Sequence, residues 1–108
     1  MKDSLVITIL YIIISLFGIF MGLLFWLRKI PPNSYSGFRT EQTLADPDLW
    51  YRVNSILGQD MFALNVVTFI LTIVLQFAGV QTVISAMILG TVLFIGYISI
   101  AIHCFRAF

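Results

Sequence analysis

The chain has 108 residues, 60% of them hydrophobic and only 10% charged, with a mean hydropathy of +1.03. Soluble domains carry about 25% charged residues, so a soluble globular enzyme and a disordered tail are excluded, and a net charge of +1 offers no basic field for a nucleic acid. The single cysteine, Cys104, excludes a disulfide framework and a Cys-based zinc site within one chain.

The remaining class is an all-α integral membrane protein. Lys2 and Asp3 precede an uncharged stretch from Ser4 to Leu27, which is one membrane crossing. This run is longer than a signal-peptide core and lacks a small-x-small cleavage site, which predicts a retained helix over about 4–27. Thr8, Tyr11, Ser15, Gly18 and Gly22 recur along it at steps of three and four, forming one packing seam. Gly18 and Gly22 make a GxxxG pair, suited to close packing within the chain or to a homodimer face.

Residues 28–59 hold most of the charge. Pro31-Pro32 predicts an end to the first helix and an extended exit. Asn33, Ser34, Ser36 and Gly37 are turn formers, and Gly37 is expected at positive φ. Asp46 is a good N-cap, Pro47 suits the first helical position, and Asp48 complements the helix dipole. Leu49, Trp50, Val53, Ile56 and Leu57 then recur at helical spacing, which predicts a short amphipathic helix over about 47–57 lying on the membrane surface. Gly58 would end it or allow a bend into the next span. Arg39 has two readings: a tie from its guanidinium to Asp46 or Asp48, or a contact to a lipid phosphate or a partner's carboxylate. Trp50 is expected as an interfacial anchor or a contact residue. Asn54, one turn further, could receive the same loop by hydrogen bonds.

Met61 to Phe105 is uncharged, too long for one crossing and right for two. Spans are predicted at about 60–79 and 83–104, with Gly79 left-handed at the turn and Thr82 capping the last helix. Asn65, Thr68, Thr72, Gln76 and Gly79 form a second stripe, expected to face inward for interhelical hydrogen bonding. A polar path across the membrane is the alternative, although no carboxylate or cation lies among these residues. His103 and Cys104 are neighbours on one helix and point about 100° apart, so no metal site is expected. His103 is read as an interfacial residue bonding a carbonyl or water. No cofactor and no catalytic residue is expected. Four of the six Lys and Arg residues lie in the middle segment and a fifth near the C-terminus. The positive-inside rule therefore puts residues 28–59 and the C-terminus in the cytoplasm and the N-terminus outside.

Pro32-Asn33, then Gly37-Phe38-Arg39-Thr40, Trp50 ten residues after Thr40, Asn54 and Gly58, followed directly by two hydrophobic helices, resemble the SdpI family of small bacterial membrane proteins. The resemblance covers roughly residues 14–104. It implies a non-catalytic protein of the bacterial cell membrane, whose motif loop is a recognition surface. The family's named member protects cells from a secreted peptide toxin and holds a repressor at the membrane. It also carries an additional N-terminal multi-helix region with no counterpart among these residues. The expected partners are the lipid bilayer, a membrane protein or a second copy of the chain, and a peptide toxin, with no nucleic acid. The competing expectation is a small accessory subunit of a larger respiratory or transport complex, offering its small and polar stripes to a neighbour.

Overall fold

The computed structural model describes residues 2–108, which form four helices and, among the described residues, no strand. These are α1 (Lys2–Trp26), α2 (Glu41–Ala45), α3 (Pro47–Phe77) and α4 (Thr82–Ala107). α1, α3 and α4 are each long and apolar enough to span a membrane. The protein is a three-span, multi-pass membrane protein.

Burial is inverted relative to a water-soluble bundle. Ser15, Asn65, Thr68 and Thr72 are buried, while Phe17, Phe20, Val67, Ile70, Met87 and Phe94 are exposed. Lipid tails are as apolar as leucine, so large apolar side chains gain little by turning inward. Helices associate instead through small residues and internal hydrogen bonds.

The two small-residue stripes meet inside the bundle. Gly18 faces the Asn65 carboxamide, and Gly22 lies against Gly58 so closely that a Cβ on Gly22 would sit 2.8 Å from the Gly58 oxygen. A Cβ on Gly58 would collide with backbone atoms of Gly22 and Trp26. The GxxxG pair is thus used for packing within the chain. Ser4 and Thr8 donate to the Gln76 side-chain oxygen at 2.8 and 2.7 Å, although Gln76 itself is exposed at that end of the bundle. The Tyr11 hydroxyl donates to the Ala86 carbonyl at 3.1 Å. Asn65 donates to the Met61 carbonyl at 2.8 Å and to the Tyr97 hydroxyl at 3.1 Å, while its oxygen stands against Gly18 without a partner. Thr68 and Thr72 return their hydroxyls to carbonyls of their own helix, which satisfies them in an apolar interior.

α3 departs from expectation. The surface helix and the second span are one continuous 31-residue helix. Gly58 neither ends nor isolates a segment, because α1 packs directly over it and the helical ladder runs on. At 1.5 Å per residue α3 is about 46 Å long, against a bilayer core of about 30 Å. Asp60 is the first charge met from its apolar end. Residues 47–57 therefore project roughly 16 Å beyond the core instead of lying flat. The 50 Å long axis of the molecule has the same cause.

Three helix ends also differ in detail. α1 stops before Pro31 in a Schellman motif: Arg28 N–H donates to Phe25 O at 3.1 Å, Lys29 N–H donates to Leu24 O at 2.8 Å, and Arg28 has φ +60°. Gly79, at φ +70°, closes α3 with the same pair of bonds. At the start of α4 the cap position is Gln81, with no side-chain cap bond, and Thr82 is already helical. The five-residue α2 had no expectation attached to it, being too short to show apolar periodicity.

Two outcomes follow for thermal unfolding in neutral detergent. Gly58→Val should lower the midpoint, costing about 1–3 kcal/mol or more, because the colliding atoms are backbone and cannot rotate away. Arg28→Gly should raise the midpoint by relieving a left-handed strain of roughly 1 kcal/mol.

Candidate functional site

The loop from Lys29 to Asp46 folds onto the projecting half of α3 and the last turns of α4, forming a cap beyond the membrane core. Its start is set by three local devices. Ser55 donates its hydroxyl to the Trp26 carbonyl at 3.2 Å, fixing where α1 ends against α3. The Trp50 indole N–H donates to the Ile30 carbonyl at 3.0 Å, and the ring is fully buried, at 0% exposure. Trp50 is therefore an interior pin for the loop rather than a surface anchor. Asn33 then folds an Asx turn: its side-chain oxygen accepts from Tyr35 N–H and Ser36 N–H, both at 2.9 Å, and its amide donates to Pro31 O at 2.8 Å.

Asn54 holds the middle of the loop. Its side-chain oxygen accepts the Phe38 N–H at 2.6 Å, and its amide donates to the Phe38 carbonyl at 3.2 Å and the Trp50 carbonyl at 3.0 Å. One buried carboxamide thus completes both backbone groups of a loop residue, as a neighbouring β-strand would. Gly37 must precede Phe38 here. It has φ +94°, and a Cβ would lie 2.6 Å from the Asn54 oxygen. The Phe38 ring turns the other way. It meets Phe105 edge-on at 4.9 Å and packs on the core of Val53, Ile100 and Cys104. The loop is thereby tied to both α3 and α4.

Thr40 is the N-cap of α2 and forms a capping box with Thr43. Thr43, fully buried, was not singled out from sequence, although the Thr-x-x-Thr spacing carried the signal. Asp46 caps α3, accepting from Asp48 N–H at 3.1 Å and Leu49 N–H at 3.3 Å. Arg39 does not reach Asp46 or Asp48: its guanidinium donates to the Ser34 carbonyl across the loop, and the residue is exposed. Ser34 and Arg39 are only five residues apart, so a local tie forms more readily than one to α3.

The cap thus brings together Asn33, Gly37, Phe38, Arg39, Thr40, Asp46, Trp50 and Asn54. It does not bring in Gly18, Gly22, Asn65, Thr72 or Gln76, which lie along the membrane-spanning seam. At the boundary between cap and span, His103 Nδ1 lies 2.5 Å from Asp60 Oδ2. This carboxylate, rather than a carbonyl or water, is the His103 partner, and it is brought near by the antiparallel α3–α4 hairpin. Among the described residues, no group of three or more His, Cys, Asp or Glu is placed to hold a metal ion.

A three-span membrane bundle with a loop latched to the projecting end of its second span defines the class. The SdpI/YfhL protein family model matches residues 29–102, covering the latch and both later helices, and the chain belongs to that family. The family is a non-enzymatic membrane family. No curated protein and no solved structure matches the chain.

Removing the carboxamide tests the latch. Asn54→Ala leaves the Phe38 N–H and C=O unpaired, a loss of about 1–3 kcal/mol. Tryptic cleavage at Arg39 should accelerate about tenfold, while Asn54→Asp, which keeps an acceptor for Phe38 N–H, should recover part of the protection.

Proposed function

We propose that the chain acts without catalysis, by protein contact through its cap, in immunity to or sensing of a membrane-active peptide. Its place is the bacterial cytoplasmic membrane, with the cap and C-terminus in the cytoplasm and the N-terminus outside. The partner is a membrane-active peptide, or a membrane protein that conveys its presence, and a second copy of the chain is a further possible partner.

The observation that carries this reading is how the cap divides its side chains between inside and outside. Asn54, Trp50, Gly37 and Thr43 are spent internally, holding the loop in one conformation. Arg39, Tyr35, Glu41 and Leu44 are exposed on that loop and on α2, with Tyr35 at 91% exposure. A loop ordered this fully loses little entropy on binding, which favours a recognition role. The accessory-subunit reading is less supported, because the small and polar stripes it would offer a neighbour are used within the chain.

Expression should raise survival of cells challenged with a panel of membrane-active peptides. Tyr35→Ala combined with Arg39→Ala should abolish that protection at unchanged protein level in the membrane. Equal survival of expressing and control cells across the panel would remove this reading. Stoichiometric recovery of larger membrane subunits with the chain in mild detergent would replace it with the accessory one.

A further inference from the structure

Residues 28–60 carry four positive and four negative charges and read as neutral along the chain. Folding separates them by height. The Ser55–Trp26 and Trp50–Ile30 bonds bracket the end of α1, so Arg28 and Lys29 lie between the levels of Trp50 and Ser55 on α3. Arg52 belongs to the same levels. On α4, His103 sits beside Asp60, and Phe105 stacks on Phe38, which is bonded to Asn54. Arg106 therefore lies between the levels of Asp60 and Asn54. Four cations, two from the chain just past α1 and one each from α3 and α4, share a slab about 10 Å deep. All four are exposed, and the one ion pair among the described residues is His103–Asp60.

The acidic residues lie elsewhere. Asp46 and Asp48 stand at the outer end of α3, and Glu41 lies in α2, which leads up to it. Asp60, at the inner edge of the slab, has its carboxylate occupied by His103.

The slab coincides with the headgroup layer. With the Ala78–Gly79 turn at one face of a bilayer core about 30 Å thick, roughly 20 residues of α3 bring the other face to Gly58. Arg28, Lys29, Arg52 and Arg106 stand immediately outside it, where phosphates lie. We infer that these four residues form a collar that binds the phosphates of anionic phospholipids in the leaflet on the loop side. Arg28 and Lys29 form the C-terminal cap of α1 and lead directly to Ile30, whose carbonyl the Trp50 indole holds. Lipid bound there braces the start of the latched loop.

The test is native mass spectrometry of the full chain released from mixed micelles holding equal phosphatidylglycerol and phosphatidylcholine. Phosphatidylglycerol adducts should predominate and should fall as salt rises. Each of Arg28→Gln, Lys29→Gln, Arg52→Gln and Arg106→Gln should lower the ratio of the two lipids by up to about fivefold, as expected from roughly 1 kcal/mol per cation near a charged surface. Circular dichroism of each variant separates lipid loss from unfolding. Equal retention of the two lipids by the unmodified chain would overturn the collar. So would a ratio that each of the four collar variants leaves unchanged.

Discussion

The close approach of α1 and α3 at Gly22 and Gly58 sets the geometry of the rest. A side chain at either position would drive the helices apart, and with them the Ser55–Trp26 bond and the Trp26–Phe62 ring contact at the same depth. The contact fixes the height at which α1 ends. That height decides where the Trp26 carbonyl meets Ser55, where Ile30 meets Trp50, and how much chain remains to reach Asn54. The spacing between Gly58, Asn54 and Trp50 is one helical turn each. One face of α3 therefore carries both the membrane contact and the loop latch, and a shift of α1 would disturb both.

Continuity of α3 has its own consequence. A short amphipathic helix on the membrane would have laid the loop against lipid. A rigid rod rising from the membrane holds it beyond the hydrocarbon core. There, backbone groups that are not in a helix can be satisfied by water or by polar side chains, which the hydrocarbon core would not supply. The two environments impose opposite rules on one molecule. Below Gly58, Ser15, Asn65, Thr68 and Thr72 turn inward, and most large apolar side chains turn outward. Above it, Trp50, Val53 and Phe38 pack inward as they would in a small soluble domain, and the exposed residues are largely polar or charged. Asp60 and His103 mark the boundary between these regimes, pairing where an isolated charge would face lipid.

The residues of the family motif are thus explained mostly by folding. Gly37 supplies a backbone conformation and a space, Phe38 supplies a backbone edge and a ring, and Thr40 starts α2. Asn54 and Trp50 close the structure from the α3 side. Arg39 differs, since its head bonds a nearby carbonyl and stays in solvent. A partner that replaced the Ser34 carbonyl with a carboxylate would gain a charge-assisted bond at little cost in loop order.

The all-helical class, the three spans, the tight α3–α4 turn and the Asp46 cap were legible in the sequence, because each follows from local composition, hydropathy over about 20 residues, or a cap within three residues. The inward direction of Asn65, Thr68 and Thr72 was legible for a similar reason, although Gln76 of the same stripe is exposed at the bundle's end. What only the tertiary structure decided depends on pairing between distant segments. The periodicity of residues 47–57 fits a surface helix and the start of a longer rod equally well, and the α1 backbone over Gly58 chose the rod. Trp50 fits an interface anchor or a buried pin, and the Ile30 carbonyl, twenty residues earlier, chose the pin. A linear count of charge in 28–60 gives zero. The antiparallel packing of three helices turned that zero into a basic level and an acidic level, because height above the membrane depends on where each segment leaves its helix.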